Sequence, residues 1–154
     1  MDELRPPARL IAAGLGAGYS PWAPGTAGSL LALVLGALLM AASPWALPVA
    51  AVAATLGGLW AIRAARVDGD PGWVVIDEVA GQWIAMLGLV RVAWPGLLAA
   101  FVLFRLLDIA KPGPVGWADR QHGAFGIMAD DVIAGAIAGA VLLALNLVWP
   151  ALLG

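Results

Sequence analysis

A chain of 154 residues is enough for one domain, but 62% hydrophobic against 12% charged residues leaves too few charges to clothe a soluble domain of that size. The natural solvent for the remainder is lipid. A net charge of −2 with no basic run excludes a nucleic-acid partner, and the absence of cysteine excludes disulfides, thiolate metal sites and cysteine-nucleophile chemistry.

The N-terminal MDELRPPARLIAAG is not a signal peptide by pattern, because acids and prolines stand where a basic start and an unbroken apolar run belong. GLGAGYSPWAPGTAGSL (14–30) follows, rich in glycine and proline. Thr26 or Ser29 can cap the helix that it feeds. A stiff loop entering a helix N-terminus is a ready anion site, although an ordinary helix-entry turn explains the spacing equally well. It is no Walker loop, since no lysine follows the glycines.

Five apolar stretches come next, at 28–42, 47–62, 79–93, 97–107 and 132–148. Each falls short of the roughly 20 residues of a full span. The reading is a single domain over 1–154: an all-α, polytopic helical membrane protein with about five short membrane-embedded helices. Threading the stretches alternately puts segments 1–27, 63–78 and 108–131 on one side. Arg5, Arg9, Arg63, Arg66, Arg105, Lys111 and Arg120 then lie on or near that side with every acidic residue, and only Arg91 does not. The positive-inside bias makes it the cytoplasmic side. Gly135 and Gly139 form a GxxxG that lets helix backbones approach closely, and Gly57, Gly58 and Gly81 can do the same.

Asp77 and Glu78 in VVIDEVAGQW interrupt apolar sequence. Acids in a first helical turn favour the macrodipole, so a helix start explains the pair on its own. Asp108 in FRLLDIAKP and Asp130–Asp131 in FGIMADDVIAG argue for more, because the threading brings all five to one face. Converging carboxylates repel unless protons, cationic side chains or a metal intervene. An all-oxygen set suits a hard ion, Mg²⁺ before Zn²⁺. Arg105, Asp108 and Lys111 share a helical stripe, ended by Pro112. They read as an ion-pair ladder, or as a metal ligand between two phosphate-neutralising cations. Arg120 and His122 are weaker candidates.

YSPWAPGTAGSL, IDEVAGQW, FRLLDIAKPGPVGWADR and GAFGIMADDVIAG resemble, in this order, the motifs of the phosphatidylglycerophosphatase A family. The resemblance extends from about Leu10 to Gly139. It implies Mg²⁺-dependent hydrolysis of the terminal phosphomonoester of phosphatidylglycerophosphate, in phospholipid synthesis. It also implies a bacterial inner (cytoplasmic) membrane location, with the polar site at the cytoplasmic interface. The family pattern matches Pro24, Gly25, Thr26 and Gly28; Asp77, Glu78 and Gly81; Arg105, Asp108, Lys111 and Pro112; and Gly126, Asp130 and Asp131. Ala80, Gln82, Gly113 and Ala124 depart from it, and none of them removes a charge.

On that footing Asp77, Glu78, Asp108 and Asp131 are the expected metal ligands, and Asp130 is a further ligand or the general base. Asp77, Asp108, Asp130 and Asp131 form the expected catalytic set. Gly25, Thr26, Ser29, Arg105 and Lys111 are the expected phosphate-binding residues. The expected partners are a phospholipid substrate and the membrane, and no protein partner is identifiable. A non-catalytic lipid-binding protein and a cation transporter are the alternatives. A transporter would carry its acids near mid-span, whereas these gather at one end. An alcohol phosphatidyltransferase is disfavoured because its DG…AR…G…D…D pattern is absent.

Overall fold

Proline and glycine set where the helices begin and end. The computed structural model describes residues 3 and 5–154. Met1, Asp2 and Leu4, part of the N-terminal segment expected on the charged side, lie outside the described residues. The described residues contain helices and no strand. In order these are α1 (Arg5–Ala12), a 3₁₀ segment (Gly14–Tyr19), α2 (Pro24–Ala42), α3 (Ala46–Ala64), α4 (Ile76–Met86), α5 (Trp94–Ala110), α6 (Pro114–Asp119) and α7 (Gly123–Val148).

Helix α2 starts at Pro24, whose missing N–H costs nothing at the first helical position. The start therefore precedes Thr26 and Ser29, and neither caps it. The residue before Pro24, Ala23, is left-handed (φ 41°) and makes no side-chain cap bond. Ser29 Oγ donates within the helix to the Gly25 carbonyl at 2.9 Å. At the other end of the charged stripe, α5 stops at Ala110 with Lys111 left-handed (φ 47°), directly before Pro112.

Among the described residues three helices, not five, are long and apolar enough to cross a membrane: α2, α3 and α7. Helix α5 ends at 17 residues and α4 at 11, the latter about 16 Å against the ~30 Å hydrocarbon core. The expected span at 79–93 was misleading because α4 is apolar for another reason. It is enclosed by α2, α3, α5 and α7, so protein and not lipid covers it. Its final turn tightens through Leu87 N–H to the Ile84 carbonyl and Gly88 N–H to the Ala85 carbonyl, and the chain then leaves the helix.

The outward faces of the longer helices carry stripes that water would not favour. Leu30, Val34 and Leu38 on α2, and Val49, Val52 and Leu56 on α3, are all exposed. Apolar stripes of this length on adjacent helices mark a lipid-facing surface.

Helices α4 and α7 meet backbone to backbone. A side chain at Gly81 would come 2.6 Å from the Asp131 carbonyl oxygen, one at Gly135 would strike the Gly81 carbonyl, and one at Gly88 would strike Gly139. The expected small-residue packing is therefore present at Gly81, Gly135 and Gly139. Gly58 packs on Met128, whereas Gly57 faces open space. This close approach sets the start of α4 beside the acidic pair of α7.

Candidate metal and phosphate site

The site lies where the first turns of α2 and α4, the last turn of α5 and the third turn of α7 converge. Asp77 and Glu78 occupy the first turn of α4. Asp130 and Asp131 were expected at the start of a helix at 132, but α7 begins at Gly123, so both sit inside it. Both are buried, at 5% and 2% exposure.

Carboxylate oxygens of Asp77, Glu78 and Asp131 lie within 4.8 Å of one another, and so do those of Asp108, Asp130 and Asp131. Asp131 belongs to both groups. The structure therefore brings all five sequence-predicted acids together. Asp77 Oδ1, Glu78 Oε2 and Asp131 Oδ2 are buried without a hydrogen-bond partner. Buried carboxylate oxygens are not left orphaned in a stable protein without something to satisfy them. Three such atoms, in two all-oxygen groups sharing one residue, fit a hard divalent cation. The buried acids could hold a metal ion, and the positive ends of α2 and α4 add to the field that favours negative charge there.

The cations divide in a way that the stripe did not anticipate. Arg105 Nη1 pairs with Asp108 Oδ2 one turn away on α5, as the spacing suggests. Lys111 leaves the stripe. Its left-handed backbone sends Nζ to Asp130 Oδ2 and to Asp119 Oδ1, each at 2.6 Å. Burial alone would lower the pKa of this ammonium, but the bonds to Asp119 and Asp130 outweigh it and hold the pKa above the ordinary lysine range.

The Gly25–Ser29 turn reaches the same place. A side chain at Gly25 would collide with Glu78 Oε1 and come 3.5 Å from Arg105 Nη1. Gly28 sits equally close to Val75, where an added Cβ would lie 2.9 Å from the valine Cβ. The missing side chains let the α2 N-terminus approach the acid–arginine cluster closely. Thr26 is half-buried on that first turn. Ser29, fully buried and committed to the Gly25 carbonyl, does not fit the phosphate contact expected of it. Arg120 and His122 are exposed beside the cluster, not within it.

A family model described as phosphatidylglycerophosphatase A matches residues 10–146, which include all four motifs. The chain belongs to the phosphatidylglycerophosphatase A family. Phosphatidylglycerophosphatase A of Escherichia coli K12 is 40% identical over 94% of this chain and 86% of its own length. The Haemophilus influenzae Rd protein of the same name is 36% identical over 91% of this chain and 89% of its own. A Bacteroides thetaiotaomicron protein named "Putative phosphatidylinositol-3-phosphatase" is 40% identical over 82% of this chain and 85% of its own. No solved structure matches significantly.

Two neighbours of this acidic cluster were not among the expected site residues. Asp119, the second Lys111 partner, sits in a short helix whose approach to Lys111 depends on the left-handed turn at 111. Gln82, one turn deeper than Glu78 on α4, is fully buried with both amide atoms unpartnered. Its polarity in an apolar run was visible, but not its burial.

Proposed function

We propose that this protein is a lipid phosphatase that removes the terminal phosphate of phosphatidylglycerophosphate, giving phosphatidylglycerol and phosphate. Family membership supports the reaction class. The observation that carries the proposal is the pair of carboxylate groups sharing Asp131, set between Arg105, Lys111 and the α2 N-terminus. A phosphate needs cations and N–H donors, and a metal needs anionic oxygens; this end of the bundle offers both.

Asp77, Glu78, Asp108 and Asp131 would hold Mg²⁺, singly or as a pair. Bound Mg²⁺ would supply Lewis-acid polarisation of the phosphoryl group and acidify water at the site. Asp130 takes the proton from the attacking water. Its Oδ2 is held by Lys111, and its Oδ1 accepts from the Asp131 N–H at 3.0 Å, so its orientation is fixed. Arg105 and Lys111 balance charge on the phosphate, with the Gly25–Thr26 turn offering further donors. Water attacks phosphorus, the bond to the glycerol oxygen breaks, and that oxygen takes up the proton that Asp130 accepted, leaving as the hydroxyl of phosphatidylglycerol. The whole chain acts as one phosphatase domain.

The site lies at one end of the bundle because the phosphate is at the membrane surface while the acyl tails stay in the bilayer. We assign that end to the cytoplasmic face of the inner membrane. With no native cysteine, single-cysteine labelling reads this directly. Cysteines at Ser43 and Asp68 are expected to label from opposite sides, Asp68 from the cytoplasm; labelling from the same side would refute the orientation.

The direct test of function is phosphate release from phosphatidylglycerophosphate by the purified protein, expected with Mg²⁺ and absent in chelator. In the same assay Thr26→Val should lower kcat/KM by an amount equivalent to roughly 1.5–3 kcal/mol, one hydrogen bond to a charged group. Unchanged kinetics with lower thermal stability would show Thr26 to be structural only. The name of the Bacteroides relative points to a different lipid phosphomonoester, so the headgroup is what separates the two substrates.

A further inference from the structure

Beside the carboxylate cluster, on the far side of Lys111, is a cavity of about 190 Å³. It lies between the 69–70 turn, the end of α6 and the start of α7. Asp70, Asp119, Gln121, His122 and Asp130 contribute its polar side chains. Asp130 therefore belongs both to this cavity and to the acidic cluster, and Asp119 joins the two through Lys111.

The lining argues against a second phosphate. Three carboxylates face the space, and the nearest ammonium is already bonded to two of them. An anion entering would meet net repulsion. What the lining lacks is hydrogen-bond donors to match its acceptors, since a carboxylate accepts only. Hydroxyl groups supply those donors without adding charge. The volume is below the roughly 300–1,000 Å³ of pockets that enclose a drug-sized ligand, so it suits a headgroup fragment whose tails remain outside.

We infer that this cavity is the polyol subsite of the enzyme: it receives the hydroxyl-bearing part of the lipid headgroup while the terminal phosphate occupies the neighbouring carboxylate–cation cluster. The inference rests on the phosphatase reading for the second half of that statement. Asp70 and Asp119 accept from the one free hydroxyl of the substrate headgroup and from the second that hydrolysis creates, and His122 at the rim offers a ring nitrogen to the same hydroxyls. The backbone is shaped for this opening, with Gly69 and Gly123 left-handed at φ 68° and 69° on its two sides. Gly126, where any side chain would strike the Gln121 carbonyl, lets the 121–122 turn lie flat on α7. The headgroup preference of this chain is then set at Asp70 and His122, away from the reacting phosphorus.

Asp70→Ala and His122→Ala are suitable probes, because both side chains are exposed and His122 makes no side-chain cap bond to α7. The binding arm titrates short-chain phosphatidylglycerol and phosphatidylmethanol, both anionic phosphodiesters, into the full-length protein; only the first carries hydroxyls. Wild type should prefer phosphatidylglycerol by roughly tenfold or more, the scale of one hydrogen bond to a charged acceptor, and each variant should lose that preference. The kinetic arm compares phosphatidylglycerophosphate with phenyl phosphate. Each variant should lose about tenfold in kcat/KM on the lipid and keep wild-type rates on phenyl phosphate. Equal wild-type affinity for the two lipids, a preference that survives both substitutions, or equal losses on both phosphomonoesters would overturn the subsite. If wild type hydrolyses neither phosphomonoester, the phosphatase reading fails, and the binding arm still decides the polyol site.

Discussion

Asp131→Asn is expected to cripple phosphate release while leaving the helical bundle folded. Asp131 is the one carboxylate shared by both acidic groups, so its loss weakens every arrangement of metal that the site can hold. Asparagine keeps the shape and removes the charge. The amide N–H groups that replace one carboxylate oxygen have acceptors at hand in the neighbouring carboxylates of the two groups. The expected loss in kcat/KM is roughly 10²–10³-fold, on the order of 3–4 kcal/mol of transition-state stabilisation. In chelator the sign of the stability change reverses from the usual one. Removing a negative charge from a crowded buried cluster relieves repulsion, so the metal-free variant should melt at or above metal-free wild type. A folded variant with wild-type turnover would remove Asp131 from the reaction.

Lys111→Met carries the second large effect, and it falls on both activity and stability. Asp130, 7% exposed at its side chain, would lose its cation, and Asp119 would lose its partner. Breaking a buried pair by deleting one member costs about 3–5 kcal/mol. Lys111 is itself 30% exposed, so solvent screening brings the expectation down to roughly 2 kcal/mol. A group whose pKa is raised by folding contributes stability below its unfolded pKa, roughly 10.4 for lysine, and loses it as pH climbs through the higher folded value. The penalty in Lys111→Met should therefore be flat across neutral pH and shrink only in strong alkali. Phosphate release should fall at least about 100-fold, and Lys111→Arg should recover part of it, since the charge is kept while the fork geometry differs. Equal melting temperatures for Lys111→Met and wild type at pH 7 would contradict the bridging role.

Much of the site was legible because charge is scarce in this chain. Five carboxylates in apolar surroundings, at the ends of apolar runs, left few places for them to go except together. Arg105 and Asp108 were equally legible, since a spacing of three within one helix needs nothing from the rest of the fold. What the sequence concealed depended on contacts between elements. Hydropathy stops at Asp131, so it started the last helix at 132; α7 continues back to Gly123 because both acids turn into a protein-lined site rather than into lipid. It extended a span through 79–93 because a helix wrapped by other helices is as apolar as one wrapped by lipid. It kept Lys111 on the α5 stripe because the left-handed turn that redirects it toward α7 is a backbone event. Neither Thr26 nor Ser29 caps α2 for a similar reason, as Pro24 starts the helix ahead of both hydroxyl residues.

On the proposed phosphatase reading, apolar sequence tolerates Asp77 and Glu78 because a divalent cation completes the site that they line. The most direct test is the melting temperature of the purified protein as Mg²⁺ is titrated from chelator upward, for wild type and for Asp77→Asn. Asparagine is a good residue near a helix start, so the substitution separates ligation from simple support of the α4 N-terminus. Wild type should be stabilised in a saturable way, by roughly 2.7 kcal/mol at a hundredfold excess over Kd. Asp77→Asn should be folded, inactive and much less responsive to Mg²⁺. A wild-type melting temperature indifferent to Mg²⁺, or an Asp77→Asn protein with the full increment and full turnover, would contradict it.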